Sequence, residues 1–234
     1  MRQILGIITI ATIIALAMLI GSNKSFGQEP GKLNINLTNV VELKLGVSCN
    51  LMLTQGDKPM LSIVAKKGYM SEITTIVEGN QLIIKRENRD QDREDVTIYL
   101  TLPRIEKIKI NNDVKLNTTN MLTLEALEIN VNGVLSGNLA ITTSSLNIES
   151  NGVLKLSAKG SADMLNLDMP GVGNADFLNL KVKKAQVEIN GVGNATVDVE
   201  EYLDAVVNGV GKVDYKGNPQ LKVKISGIGK VKEI

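Results

Sequence analysis

The sequence predicts an all-β fold: a parallel β-helix-like solenoid with coils of about 18–20 residues, its N-terminal β region continuous with it. Three observations carry that expectation. Gly-Val or Gly-Ile recurs at Gly133, Gly152, Gly171, Gly191, Gly209 and Gly227, with gaps of 19, 19, 20, 18 and 18 residues. Apolar and polar residues alternate before every one of these glycines, the period of a half-buried strand. The segments between corners, such as Leu139 to Ser145, are short, rich in Thr and Ser, and lack the 3.6-residue period of a helix.

Residues 1–27 read as a signal peptide. Arg2 supplies the positive start, Ile4 to Ile20 is almost wholly aliphatic, and Ser25 and Gly27 fit a cleavage site after Gly27. The apolar run is short for a span of ~20 residues. Cys49, the single cysteine, lies too far downstream to carry a lipid. The mature chain is therefore expected to be exported, to the periplasm, the outer surface or the medium. Without Arg2 and Lys24 the 26 basic residues become 24 against 25 acids, a charge of −1. That balance leaves no footprint for nucleic acid. One cysteine excludes an internal disulfide, and its place in an apolar alternation predicts a buried thiol. The absence of His removes the commonest catalytic base and metal ligand. The scarcity of aromatics argues against a sugar platform of stacked rings.

Residues 28–110 form the expected N-terminal β region. Val41 to Leu53 is apolar at every odd position and reads as a strand bent at Gly46. Gln55-Gly56-Asp57-Lys58-Pro59 reads as a turn, Met60 to Ala65 as a strand, and Ile73 to Lys85 as a hairpin about Glu78-Gly79-Asn80-Gln81. Lys85 to Asp95 mixes both charge signs and reads as a solvated loop. Val96 to Leu102 is a strand ended by Pro103.

Residues 111–234 form the repetitive coils. Counted from each marker glycine, positions −6, −4, −2 and +1 are apolar except at Ser150, and position −5 is always polar. All four apolar positions are expected to face inward, with a degenerate first copy placing Asp113 in the glycine slot. Nineteen residues at ~3.3 Å each make a perimeter near ~63 Å, one flattened turn. Equivalent strands of successive turns would pair in parallel. Asn precedes the marker at Asn132, Asn151, Asn190 and Asn208, so a corner using positive φ is expected, with close approach of neighbouring turns.

Asn190-Gly-Val-Gly-Asn-Ala-Thr, Asn208-Gly-Val-Gly-Lys-Val-Asp-Tyr-Lys-Gly-Asn-Pro-Gln and Ser226-Gly-Ile-Gly-Lys-Val resemble the head GIN domain family of auto-transporter adhesins, found mostly in Bacteroidetes. Gln55-Gly56-Asp57 and the strand before Pro103 extend the likeness over most of the mature chain. Val or Ile stands here where the family has a middle Ser. The resemblance implies a right-handed parallel β-helix-like fold in an exported protein and supplies no catalytic residues. Leu124-x-x-Leu127-x-Ile129-x-x-Asn132-x-Val134 also fits a leucine-rich repeat, but the returns lack helical character.

Five residues after each marker stand Asn138, Ser157, Asp176, Thr196, Asp214 and Lys232, an expected outward ladder. Solvation of an exposed face is its simpler account, and polar contact with a glycan or protein its functional one. The Gly-rich corners recur in every turn with no helix behind them, unlike a phosphate loop. Asp163, Asp168 and Glu188 lack the converging oxygens calcium needs. No Arg follows Asp113, and the acids sit singly on different turns, unlike the paired carboxylates of a glycosidase. No cofactor and no catalysis are expected. Function is read as an adhesin-like envelope or surface binding module. The alternatives are a structural or regulatory envelope protein partnering a membrane signalling system and, behind it, a carbohydrate-active enzyme. The last repeat leaves strand edges open, which predicts end-to-end self-association through the C-terminal coil or cover by a partner.

Overall fold

The computed structural model describes residues 31–32, 36–86 and 96–234. The expected signal peptide and its cleavage site lie outside the described residues, as does most of the charged loop. Among the described residues no helix is long and apolar enough to cross a membrane.

The strands are β1 (Gly31–Lys32), β2 (Glu42–Gly46), β3 (Cys49–Gln55), β4 (Met60–Val64), β5 (Ile73–Glu78), β6 (Gln81–Arg86), β7 (Thr97–Leu102), β8 (Lys107–Ile110) and β9 (Asp113–Thr118). The repeats add β10 (Leu122–Val131), β11 (Val134–Ser150), β12 (Val153–Met169), β13 (Val172–Ile189), β14 (Val192–Val207), β15 (Val210–Lys216), β16 (Gln220–Ile225) and β17 (Ile228–Glu233). One short helix, α1 (Lys67–Met70), precedes β5. The architecture is the expected β-solenoid.

Each coil has three sides. The first runs up to the marker glycine, the second leaves it, and the third returns. On the first side Leu127 lies over Leu146, Leu165, Ala185, Leu203 and Leu221 in turn. On the second, Val134 leads through Val153, Val172, Val192 and Val210 to Ile228. All these pairings are parallel. The unequal coil lengths are absorbed away from the corner, where register shifts fall between Phe177 and Lys181 and between Val182 and Lys184.

The N-terminal region joins the stack in a different order. β2 lies between β6 and β8, and β3 between β7 and β9. The chain therefore builds the second layer first, returns to make the outermost layer from β6 and β7, and then crosses over to β8. β4 and β5 pair antiparallel with β7 and β6 and close that end. Gln55 ties the layers together: its side-chain amide donates to the carbonyls of Pro103 and Thr123 and accepts from the Thr123 N–H.

Three details differ from the sequence expectation. The alternation from Val41 to Leu53 is two strands, with the bend at Val47–Ser48, one residue past Gly46. The degenerate first copy places Asn112 beneath Gly133, while Asp113 pairs with Val134. The marker glycines do not use positive φ, which among the described glycines is confined to Gly79, Gly137, Gly160 and Gly217. What each marker needs is room. The carbonyl of one marker accepts the N–H just after the next marker, as in Val192 N to Gly171 O at 3.0 Å. A Cβ on Gly191 would overlap that same Gly171 oxygen. Gly therefore carries the backbone ladder unbroken through the corner.

Inside, the aliphatic columns are closed to water. Leu127, Ile129, Leu146, Leu165, Val187, Leu203 and Val207 are buried completely or nearly so. Each such side chain contributes roughly 1.5–3 kcal/mol relative to exposure. Cys49 is a buried free thiol, as expected. Burial, with Asp113 adding to it, pushes its pKa up to about 12. Ser150 sits in the same interior, its hydroxyl without a partner among the described residues.

Candidate functional site

Period-two alternation runs through the corner without a slip, and this decides what the outer surface carries. Even offsets from the marker face inward, so +2, +4 and +6 continue the core begun at −6. Leu135 and Leu154 at +2, Ala175, Ala195 and Val213 at +4, and Phe177 and Val197 at +6 are all buried. Position +1 must then face outward. The expectation that Val134, Val153, Val172, Val192, Val210 and Ile228 point inward is overturned: Val153, Val172, Val192, Val210 and Ile228 are 42, 54, 52, 46 and 76 % exposed. They form one unbroken apolar ridge along the second side. Six strands at ~4.8 Å spacing make it about 24 Å long. The signal was present in the sequence as parity, since +1 is odd where −2, −4 and −6 are even.

An amide ladder borders the ridge across the corner. Asn132 donates to Asn111 at 3.2 Å and Asn208 to Asn190 at 2.8 Å. Stacked Asn side chains hydrogen-bond along the axis where identical strands lie in register. Pro170 interrupts the column, and Asn190 donates instead to Asp168 at 3.1 Å. Beyond the amides the first side holds a groove of about 310 Å³ lined by Asn147, Glu149, Asn166, Asp168, Gln186 and Glu188, with Glu128 and Asn130 at one end. Glu149, Asp168 and Glu188 belong to three different turns, yet the in-register stack sets them on successive strands. Singly placed acids in the sequence thus become a row in the fold.

The groove changes character along its length. At the Glu128 end, Lys107 binds the carboxylate at 2.6 Å and holds its pKa below the ordinary value. Further along, burial raises the Asp168 pKa, the Asn190 amide opposes that, and Glu188 and Glu149 add to it. Asn151, Asn190 and Asn208 donate to Glu149, Asp168 and Glu188 respectively. Among the described residues no group of three or more His, Cys, Asp or Glu is arranged to hold a metal ion.

The expected outward ladder is in register: Asn138, Ser157, Asp176, Thr196, Asp214 and Lys232 pair strand to strand. Much of its hydrogen bonding is turned on itself. Asn138 donates to Asn117 at 3.1 Å and Thr196 to Asp176 at 3.0 Å. Asp214 is buried beneath Lys212, whose ammonium lies 2.6 Å from its carboxylate. The ridge, which sequence reasoning assigned to the core, is the more available surface. The corner glycines Gly133, Gly152, Gly171, Gly191, Gly209 and Gly227 support that ridge and present no side chain of their own.

A family model described as "Putative auto-transporter adhesin, head GIN domain" matches residues 39–219. The chain belongs to that family. No curated protein sequence matches the chain significantly. This GIN domain is similar to the crystal structure of a "putative adhesin" from Bacteroides fragilis, with 25% identity, a TM-score of 0.79, and coverage of 88% of this chain and 98% of that one. It also shares its fold with a "putative lipid binding protein" from Parabacteroides distasonis, at 20% identity and a TM-score of 0.65 over 89% and 98% of the two chains. A "putative adhesin" from the same species follows at 17% identity and 0.64 over 88% and 96%.

Proposed function

We propose that this chain is an exported, non-catalytic, adhesin-like binding module of the cell envelope, and that it holds a protein ligand along the valine ridge. The exposed ridge carries this reading. An extended stripe of apolar side chains edged by polar ones is the usual mark of an interaction surface. Its residues are β-branched aliphatics and its neighbours amides, which suits a protein surface better than sugar rings seeking aromatic faces. The amide ladder on one side and the column of Ser136, Lys155, Asn174, Asn194, Lys212 and Lys230 on the other flank it as a polar rim, with the row from Asn138 to Lys232 beyond. The family description supports the adhesive role.

A non-catalytic role is supported by the groove chemistry. Its three central carboxylates are each engaged by an Asn amide, and no Arg lies in the repeats to stabilise a departing charge. The test uses the purified mature chain against arrays of matrix proteins and of glycans, beside a Val172→Lys, Val192→Lys double variant. Both valines are half exposed, so the variant should fold. The expected result is binding to protein features, lost in the variant. Glycan binding unchanged by the variant would move the site elsewhere. Release of reducing ends from polysaccharides, abolished by Asp168→Asn, would replace the reading with an enzymatic one.

A further inference from the structure

Among the described residues the coil formed by β16 and β17 has a neighbour on one side only. Leu221, Val223 and Ile225 continue the columns of Leu203, Ala205 and Val207, which are fully buried, yet they are 42, 45 and 44 % exposed. The outer edges of both strands have unpaired backbone groups among the described residues. Such an edge is a template for another strand.

Charge indicates what that strand should be. The turn from Val192 to Gly209 holds Asp198, Glu200, Glu201 and Asp204 and no basic residue. Lysines bracket it. Lys184 lies 3.8 Å from Glu201 on one side, and Lys216 and Lys222 lie 3.5 and 2.7 Å from Asp198 and Asp204 on the other. The next turn, Val210 to Gly227, holds Lys212, Lys216, Lys222 and Lys224 against Asp214 alone, and β17 adds Lys230 and Lys232 against Glu233. Among the described residues the stack thus places an acidic turn between basic ones, and the far face of the outer basic turn carries no further layer.

We propose that this end of the solenoid docks an acidic, extended strand of a partner protein. The strand adds as the next layer. Its apolar side chains cover Leu221, Val223 and Ile225, and its carboxylates stand in register with Lys222 and Lys224. A second copy meeting the same end across a two-fold axis would set lysines against lysines on adjacent strands, which is destabilising. A second copy stacking head to tail would meet the opposite end, where β4 and β5 already occupy the edges. This surface meets the valine ridge only at Ile228, and the Val172→Lys, Val192→Lys variant and the Lys224→Glu variant each alter one surface alone, so loss of either binding activity leaves the other readable.

The probe is a synthetic peptide of residues 196–209, Thr-Val-Asp-Val-Glu-Glu-Tyr-Leu-Asp-Ala-Val-Val-Asn-Gly, which carries the acidic turn's own alternation. Its control has the four acids replaced by Lys. Binding to the full chain is followed by fluorescence anisotropy, and protection of residues 220–225 by hydrogen exchange. The acidic peptide should bind about tenfold more tightly than the control, because the register of the stack sets its Asp204 opposite Lys222 and its other acids approach a basic turn. Its binding should weaken at an ionic strength on the order of 0.5 M. Lys224→Glu, at a lysine with no ion pair among the described residues, should weaken it several-fold while leaving the fold intact. Equal affinity for both peptides overturns the proposal, as does no binding at about 1 mM peptide. Concentration-dependent dimerisation that protects residues 220–225 without peptide would assign the end to a second copy and overturn it equally.

Discussion

The two ends of the stack solve the same problem in opposite ways. Any solenoid leaves its last layer with one apolar face and one set of strand edges unsatisfied. At the N-terminal end the chain spends β4, β5 and α1 on closure. Leu82, Ile84, Ile98 and Leu100 in that outermost layer are fully buried. Tyr69 of α1 is buried against them, held by Arg86, whose guanidinium lies 4.0 Å over its ring and 2.7 Å from Glu72. At the C-terminal end nothing comparable is present among the described residues, and the equivalent columns face solvent. The difference teaches that burial in this fold is set by having a layer on both sides rather than by residue type, since Leu203 and Leu221 occupy the same column with different exposure.

The largest effect should come from a central corner. Gly191→Ala puts a methyl into the Gly171 carbonyl, and backbone on both sides must move. Loss of ~4 kcal/mol or more, read as a collapse of the urea midpoint, is expected for strain that cannot relax. Gly227→Ala meets the Gly209 oxygen in the same way, but its turn lies at the open end and can lift away. A drop of about 1 kcal/mol or less, with local loss of hydrogen-exchange protection, is expected there. Equal effects at the two corners would erase the distinction between the ends. Next comes the column they share. Leu203→Ala should cost ~2–5 kcal/mol, as a large-to-small change in a closed core. Leu221→Ala should cost under ~1 kcal/mol, because its side chain is already partly in water.

How much of this contrast the sequence carried depends on the kind of signal. The coil period, the parallel stacking and the inward columns at −6, −4 and −2 were legible because each repeats six times. The N-terminal layer order was not. Val41 to Leu53 and Leu82 to Lys85 both read as strands, and nothing local to either tells which is outermost. The ridge was misassigned because its residues are valine and isoleucine, and hydrophobicity outweighed parity at +1. The acids read as single groups on separate turns because Glu149, Asp168 and Glu188 lie 19 and 20 residues apart, a distance only the register of the stack removes. The row from Asn138 to Lys232 was legible as a spacing, but that Asp214 is buried beneath Lys212 and that Thr196 donates to Asp176 depend on side-chain geometry that spacing does not contain.

A smaller effect tests the cap itself. Arg86→Met keeps the length and apolar stem of the side chain but removes the bond to Glu72 and the contact over Tyr69. A lower Tm than wild type is expected, from loss of the charge-assisted hydrogen bond to Glu72 and the stacking over Tyr69. Protection should fall first in β5 and β6, turning the closed end toward the behaviour of the open one. Unchanged protection there would mean that β4 alone closes this end.

The smallest effect compares the groove where the N-terminal layers reach it with the groove inside the repeats, through pH. The Glu128 pKa is lowered, chiefly by its hydrogen bond from Lys107. A carboxylate with a depressed folded pKa contributes stability above its unfolded value and loses it as pH falls through the folded one. Asp168 is shifted the other way, so its ionised form costs stability at neutral pH, and that cost is relieved as pH falls through its raised folded value. Glu128→Gln should therefore lower the Tm at pH 7, and Asp168→Asn should raise it. Both differences should shrink toward zero in acid, when the wild-type carboxyls are protonated as well. Thermal melts of both variants from neutral to acidic pH measure this. Two changes of the same sign at pH 7 would mean that the N-terminal lysine does not distinguish the two ends of the groove, and the row would then have to be treated as one uniform acidic surface.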